Sequence, residues 1–232
     1  MMLALLLLAT SPVPGETRQL VVSVSESWGA TAARVRRYER TAAGQPWKPV
    51  GVEVTASLGR RGLGWGRGLH PSGLLGPPKR EGDGKSPAGV FDLREATGYA
   101  SAPPHGTRLR YRVATPTLRC VDDTASAFYN QLVDEAQVKK DWSSAEDMRR
   151  PDDLYRLVVW VGHNDTPAEV PGGSCIFLHL RSSATATTEG CTAFDAAPME
   201  TLLSWLDPKQ RPVLVQLPQQ AHRQWAVPWG LP

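Results

Sequence analysis

The chain has 232 residues, of which 41% are hydrophobic and 21% charged, and its formal net charge is +3. These proportions are typical of a globular protein with one domain. Lysines and arginines are dispersed, and the densest basic cluster, at residues 34–40, also contains a glutamate. The sequence lacks the basic stripe of a nucleic-acid-binding protein, so we expect no nucleic-acid partner.

The N-terminus begins with nine uninterrupted apolar residues, 1–9, which proline and glycine soon follow. This run is too short to cross a bilayer, which takes about 20 residues. It has the length of the apolar region of a secretory signal peptide, although no basic residue precedes it. We therefore expect residues 1–15 to be a signal peptide cleaved near Gly15 and the protein to be exported. Membrane contact is expected only through an uncleaved leader, and the alternative is a buried N-terminal segment.

Most of the remaining chain consists of short β-branched and apolar segments that are typical of strands. A Gly-Gln-Pro turn at 44–46 separates two of them. Strands are predicted at residues 18–28, on both sides of that turn, and at 109–123, 153–164, 171–180 and 211–218. The segment at 77–99 is predicted to be a turn-rich stretch followed by a short strand.

Two segments have helical character. The stronger prediction is at 126–150, with a break near Trp142, and a shorter amphipathic helix is predicted at 195–208 with Asp195 as its N-cap. Many strands with one or two helices predict an α+β domain that is mostly β.

The glycine-rich segment at 59–70 has glycines at 62, 64, 66 and 68. This spacing differs from the G-x-G-x-x-G of dinucleotide-binding turns, and no G-K-[ST] follows. We expect a loop in which the backbone approaches other groups closely, and no nucleotide cofactor.

His179 ends an apolar run, and Cys191 follows twelve residues later, after a glycine. A thiol attacks as the thiolate, and a neighbouring imidazole can accept its proton. The predicted helix after Cys191 would direct N–H groups at a thiolate or an oxyanion. The alternative interpretation is a structural histidine and a buried cysteine without a reaction.

A metal site is a further alternative. His163 and Asp165 could supply two ligands and His179 a third. The sequence contains no H-E-x-x-H or C-x-x-C motif, so we expect no metal.

Several stretches of the chain, taken in order, resemble the L,D-transpeptidase catalytic-domain family (YkuD type), in a secreted bacterial branch. The central resemblance is GGSCIFLHL followed by TTEGCTAF: a histidine, a variable loop, then glycine and the nucleophilic cysteine. GRRGLGWGRGLH, KREGDGKSPAGVFDL, CVDDTASAFYNQLVD and VVWVGHN are also similar to the family. The resemblance implies a β-sandwich or barrel-like catalytic domain at residues 50–217, with N-terminal strands at 16–49 and a C-terminal tail at 218–232.

The resemblance also implies roles for individual residues. Cys191 would be the nucleophile, His179 the general base, and the carbonyl of Leu180 the group that orients the imidazole. Backbone N–H groups around Gly190 and Cys191 would form the oxyanion hole. The residues implied in substrate binding are His163, Asn164, Arg181, Thr188, Glu189 and Thr192.

The implied substrate is a peptidoglycan stem peptide, attacked between the diamino acid at position three and D-Ala at position four. An amine or water would then resolve the thioester, without a metal or an organic cofactor. These implications predict a location in the periplasm or cell envelope.

The chain departs from the pattern of many members, which have Ser-His-Gly-Cys and an arginine two residues after the cysteine. Here residues 188–191 read TEGC, and Ala193 replaces the arginine. Arg181 is a candidate for the missing positive charge. Crosslinking, carboxypeptidase and hydrolase activities remain open, as does a non-catalytic wall-binding module on the same fold.

The chain has three cysteines, and in an exported protein an odd number leaves one thiol free. Since the resemblance implies that Cys191 is the nucleophile, we expect a disulfide between Cys120 and Cys175. The sequence alone permits three pairings.

Overall fold

The computed structural model describes residues 11–165 and 167–232, and strands dominate it. The strands are β1 (Gln19–Ser25), β2 (Ala32–Glu39), β3 (Lys48–Ser57), β4 (Leu63–Trp65), β5 (Ser86–Gly98), β6 (Arg110–Val113), β7 (Leu118–Val121), β8 (Leu132–Asp134), β9 (Ala145–Asp147), β10 (Leu157–Val161), β11 (Phe177–Leu180), β12 (Thr192–Phe194) and β13 (Val213–Pro218). The helices are α1 (Ala196–Trp205), a 3₁₀ turn (Pro208–Gln210) and α2 (Gln219–Trp229). The predicted class, α+β and mostly β, is confirmed.

The larger sheet closes on itself. Its strands follow the order β10-β11-β12-β3-β2-β1-β13-β5, and β5 pairs back onto β10. β4 and β6 also pair with β5. The neighbours β11 and β12 are parallel, with His179 opposite Ala193. Closure removes the unpaired edges of the ring, and the parallel β11–β12 pair carries the two candidate reactive residues to one end.

Successive side chains of β11 point to opposite faces, as in any strand. Leu178 and Leu180 pack in the largest apolar cluster with Met199 and Leu203 of α1. The alternate positions therefore point away from that cluster, and one of them is His179.

A separate three-stranded sheet, in the order β8-β7-β9, packs over the outward face of β11. A disulfide joins Cys120 of β7 to Cys175, just ahead of β11, which is the pairing expected from the sequence. We call this three-stranded sheet and its connecting turns the β7–β9 lobe. Its residues Leu118 and Met148 share an apolar cluster with Phe177. The lobe and the closed sheet thus meet beside His179.

The prediction of a helix at 126–150 is wrong. This segment forms turns and the strands β8 and β9, which both pair with β7. Ser126 donates to the Asp141 carboxylate at 2.5 Å, and the backbone N–H of Ala127 donates to the same carboxylate at 3.0 Å. Such side-chain bonds compete with helical ones. Trp142 is buried against Val121 and contributes to a small cluster of its own.

The other local predictions differ in outcome. The helix predicted at 195–208 is confirmed as α1, and the strand predicted at 211–218 as β13. Asp195 occupies the N-cap position of α1, but its side chain makes no capping bond. The segment described as a tail contains α2, whose buried Trp229 stacks on Trp225 at 5.1 Å.

Residues 11–15 lie against the domain. Ser11 donates to the carbonyl of Trp229 at 2.6 Å, Val13 is buried, and Arg40 donates to the carbonyl of Pro14 at 3.0 Å. Cleavage near Gly15 would remove these contacts and stays a prediction, and most of the proposed leader lies outside the described residues. Over residues 11–165 and 167–232, neither helix has the length and apolarity needed to span a membrane.

Candidate active site

Cys191 is the free thiol of the described chain, and it directly precedes β12. Its Sγ accepts a hydrogen bond from the N–H of Phe177 at 3.3 Å and donates to the carbonyl of Cys175 at 3.5 Å. Donation to a carbonyl requires the protonated thiol. The sequence-based expectation that Cys191 lies at a helix N-terminus is wrong, because β12 separates it from α1 and a helix dipole acts only near the first turn.

The His179 side chain is buried and held in one orientation. Its Nδ1 lies 2.7 Å from the carbonyl oxygen of Leu180, which can only accept, so Nδ1 carries the proton and Nε2 is the basic nitrogen. The ring of Tyr155 contacts the imidazole edge-on, with 5.0 Å between centroids. Burial lowers the pKa of His179 to about 4, so the imidazole is neutral at pH 7.

His179 and Cys191 line the same cleft, a cavity of about 530 Å³ between the closed sheet and the β7–β9 lobe. Burial raises the pKa of the Cys191 thiol, and the negative charge of Glu146 raises it further. The Phe177 N–H and the Lys79 ammonium act in the opposite direction. The thiol is therefore protonated at rest, and a base must take its proton before it can attack.

The loop before Cys191 is held by its own side chains. Thr188 Oγ1 donates to the carbonyl of Cys191 at 2.6 Å and accepts from the N–H of Gly190 at 3.2 Å. Glu189 forms an ion pair with Arg60 at 2.9 Å. A Cβ at Gly190 would lie 3.1 Å from Ile176 Cδ1, so a larger residue there would require the isoleucine side chain to shift slightly.

The family model of the L,D-transpeptidase catalytic domain (YkuD) matches residues 36–215. The chain belongs to this family. The match begins within β2 and ends within β13, so it leaves out β1 but includes most of the closed sheet, the lobe and both candidate reactive residues. Neither the curated proteins nor the solved structures contain a significant match to the chain.

Three of the substrate-binding residues expected from the family resemblance have other partners in the structure. His163 is buried, with Nδ1 accepting from the Arg67 N–H at 3.2 Å and Nε2 bonded to the Gly172 carbonyl at 3.0 Å. The Asn164 amide donates to the Gly173 carbonyl at 2.9 Å. Thr192 donates to Gln216 at 3.0 Å. These three side chains are not among those that line the cleft.

Arg181, the candidate for the missing family arginine, forms an ion pair with Asp195 at 2.6 Å. It is likewise absent from the lining of the cleft, whereas Thr188 and Glu189 belong to it. Of the six residues expected to bind substrate, the structure thus brings these two to the cleft beside His179 and Cys191.

The metal alternative finds no support in the donor set. Both ring nitrogens of His163 are bonded to backbone groups. Within the described part of the chain, no three histidine, cysteine or carboxylate side chains are grouped so that they could hold a metal ion.

Lys79 is a cleft residue that the sequence analysis missed. Its ammonium is buried and donates to Asp83 at 2.7 Å and to the carbonyl of Arg80 at 2.6 Å. The stretch KREGDGK contains the pair at i and i+4, but nothing in the sequence indicates that its lysine points toward the thiol.

The sequence analysis also missed the carboxylates that line the cleft. Glu81, Asp122 and Glu146 all face the cleft, together with Tyr155. Glu146 lies in the segment wrongly predicted as a helix, where an acidic side chain is ordinarily solvent-exposed. Only the pairing of β9 with β7 brings it to the cleft.

Proposed function

We propose that the protein is a peptidoglycan L,D-transpeptidase in which Cys191 forms the acyl-enzyme. Family membership supports the acyl-transfer class and a peptidoglycan substrate. The observation that carries the proposal is the shared cleft of His179 and Cys191, with Nδ1 tied to Leu180 so that Nε2 is the available base. A neutral imidazole beside a protonated thiol is the resting state that general-base catalysis requires.

The proposed reaction begins when His179 Nε2 takes the thiol proton. The thiolate then bonds to the carbonyl carbon between the diamino acid and D-Ala of a tetrapeptide stem. The tetrahedral intermediate expels D-Ala, whose amine takes the proton from the imidazolium. An acceptor amine attacks the thioester, or water does so in the carboxypeptidase variant, and His179 accepts the proton of that nucleophile.

The proposed oxyanion hole is formed by the N–H groups of Cys191 and Gly190. The N–H of Gly190 already donates to Thr188 Oγ1, so this donor must be shared with the oxyanion or released to it. Removing a single donor of this kind costs about 10²–10³ in rate in well-studied cases.

Family membership supports a cell-envelope location, and we propose that the protein acts there after export. The choice between crosslinking and hydrolysis would depend on whether an amine or water enters the cleft to attack the thioester.

The test is incubation of the full chain with purified tetrapeptide muropeptides, followed by mass spectrometry of the products. Crosslinked dimers identify a transpeptidase, and tripeptides without dimers identify a carboxypeptidase. The alternative is a non-catalytic wall-binding module, which the missing family histidine and arginine favour. Binding to muropeptides without any product, together with a thiol that reacts only after denaturation, would support that module.

A further inference from the structure

Three carboxylates line the cleft that contains the Cys191 thiol. Asp122 directly follows β7, and Glu146 lies in β9, the antiparallel neighbour of β7. Glu81 comes from the loop between β4 and β5 and lines the same cavity. We call these three side chains, Glu81, Asp122 and Glu146, the acidic wall.

The acidic wall forms no ion pair within the described part of the chain, and its hydrogen-bond donors are neutral. Glu146 accepts from the Tyr155 hydroxyl at 2.5 Å. Glu81 accepts from the hydroxyls of Tyr129 at 2.7 Å and Ser174 at 2.6 Å. These donors satisfy oxygen lone pairs without compensating the negative charge of the carboxylates.

Asp122 lacks a partner for one of its carboxylate oxygens. Its Oδ1 is buried and has no hydrogen-bond partner among the residues that the structure describes. Such orphaned buried atoms are rare in native proteins, and each one calls for an explanation. Because this oxygen belongs to the lining of a cavity of about 530 Å³ that also holds the thiol, the explanation that fits is a ligand that donates to it.

The two cationic side chains of the cleft lining, Lys79 and Arg150, are already engaged elsewhere. Lys79 forms an ion pair with Asp83 at 2.7 Å, and Arg150 forms one with Asp152 at 2.5 Å. Neither of these acidic partners belongs to the acidic wall. The wall therefore keeps its negative charge, and a cationic ligand would complement it.

The charges of the acidic wall also act on one another. Burial raises the pKa of Glu146 to about 7, and the charges of Asp122 and Glu81 also raise it, while the Tyr155 hydrogen bond and the Arg150 charge lower it. A cation bound among the three carboxylates would relieve this repulsion and favour their ionised forms.

The ligand that fits is an organic cation. Within the described residues, no three metal-binding side chains are grouped so that they could hold a metal ion. A primary ammonium group offers three N–H donors, and an alkyl amine of this kind stays protonated at pH 7. The substrate of the proposed function contains such a group, the side-chain amine of the diamino acid.

We propose that Asp122 and Glu146, with Glu81 beside them, form a subsite for a primary ammonium group. The subsite makes the cleft prefer stem peptides whose diamino acid has a free side-chain amine. This identification of the ammonium rests on the proposed function. The ammonium belongs either to the stem that donates the acyl group or to the stem that accepts it, and the experiment distinguishes the two.

The first test compares two thiol reagents on Cys191 of the full chain at pH 7. One is the cationic 2-aminoethyl methanethiosulfonate, and the other is the neutral methyl methanethiosulfonate. Both react with the thiolate, so a change in the thiol pKa cancels in the ratio of their rates. The acidic wall should raise this ratio about tenfold over that of the urea-unfolded chain, the effect of one hydrogen bond between charged groups.

Variants of the acidic wall should lower that ratio. Asp122→Asn should lower it severalfold, and Glu146→Gln added to it should return it to the value of the unfolded chain. Because Oδ1 of Asp122 has no partner to lose, Asp122→Asn should fold normally, as circular dichroism would verify. Glu53→Gln, at an exposed position of β3, removes the same charge and should leave the ratio unchanged. An equal ratio in all four proteins would overturn the proposal.

The second test finds the source of the ammonium by mass spectrometry of the acyl-enzyme. If acetylating the donor amine slows acylation about tenfold in the unmodified chain but not in the double variant, the subsite holds the donor. If acylation ignores acetylation and the double variant only slows transfer to a free-amine acceptor, it holds the acceptor. Acylation and transfer that both ignore the double variant would contradict the assignment to the diamino acid.

The two tests fail independently. The reagent test needs no peptidoglycan, so it decides whether the cleft recognises an ammonium group even if no muropeptide reacts. Absence of acylation by any donor would contradict the proposed function and leave the reagent ratio as the measure of the subsite.

Discussion

The Nδ1 atom of His179 lies 2.7 Å from the carbonyl oxygen of Leu180, its neighbour in β11. One backbone acceptor thereby selects the tautomer, and the imidazole directs its basic nitrogen away from the chain. His179→Ala should lower the rate of D-Ala release about 10²-fold, within the usual range for loss of a general base. The assay is initial-rate release of D-Ala from tetrapeptide muropeptides.

His105→Ala is the control for that change, because His105 is an exposed histidine of a loop outside the cleft lining. Its rate should equal that of the unmodified chain. A loss of less than threefold in His179→Ala would contradict the role given to the imidazole.

Acid should destabilise the fold through its buried neutral histidines. Burial lowers the pKa of His70 and His179 to about 4 and that of His163 to about 3. The unfolded chain therefore binds more protons below pH 6.5, and the stability present above that pH is lost as the pH falls. At pH 5.5 the three histidines together account for a loss of about 4 kcal/mol.

Glu146 has the opposite effect on the pH dependence of stability. Its folded pKa of about 7 lies above the unfolded value, so its protonation stabilises the fold as the pH falls from 7 toward 4.5. Urea unfolding at pH 7.5 and 5.5 should show a net loss of about 2 kcal/mol. Glu146→Gln should lose about 2 kcal/mol more than the unmodified chain over the same interval. Equal stability at both pH values, in both proteins, would exclude this account.

Reduction of the Cys120–Cys175 disulfide should loosen the lobe that forms one wall of the cleft. The bond spans 55 residues, and closing a loop of that size stabilises a fold by about 4 kcal/mol in the chain-entropy treatment. Guanidinium unfolding with and without a phosphine reductant measures the difference.

Cys191→Ala controls for the third cysteine in that experiment, and it should show the same loss on reduction. Because the carbonyl of Cys175 contacts the Cys191 thiol, we also expect reduction to lower activity. Full activity after verified reduction would show that the lobe does not depend on the disulfide.

The buried Lys79 ammonium should affect both the reactivity of the Cys191 thiol and the stability of the fold, and the two effects should be separable. Lys79→Met removes a positive charge that favours the thiolate, so alkylation of Cys191 at pH 7 should slow severalfold. It also removes the ion pair with Asp83 and so should lower stability, by an amount limited by the N–H groups of Arg80 and Lys85, which still donate to the Asp83 carboxylate.

Asp83→Asn added to Lys79→Met should recover part of that stability without recovering the alkylation rate, because the amide oxygen can still accept from one of the two backbone N–H groups. Lys48→Met, at an exposed position of β3, is the control and should change neither quantity. If stability and reactivity returned together in the double variant, the electrostatic effect on the thiol would be ruled out.

The sequence predicted the part of the site that is local in the chain. His179 lies in β11 and Cys191 directly precedes β12, its parallel neighbour, so their motif is contiguous and their proximity follows from it. The β-rich class also followed, because strand patterns recur along the whole chain.

The rest of the candidate site depends on contacts between segments that are distant in the chain. Glu146 reaches the cleft only because β9 pairs with β7, and helix-favouring residues at 126–150 concealed that pairing. Propensity is a weak guide where tertiary contacts decide. The helix α2 was missed for a related reason: it contains Pro228, which is tolerated near its end while Trp229 is buried.

The most direct test of the central claim compares D-Ala release by the unmodified chain and by Cys191→Ala, with intact-protein mass measured after rapid acid quenching. The account predicts release by the unmodified chain and an adduct equal to the donor minus D-Ala, mapped to Cys191. It predicts neither for the variant. Equal release of D-Ala by Cys191→Ala would contradict the assignment of this thiol as the nucleophile.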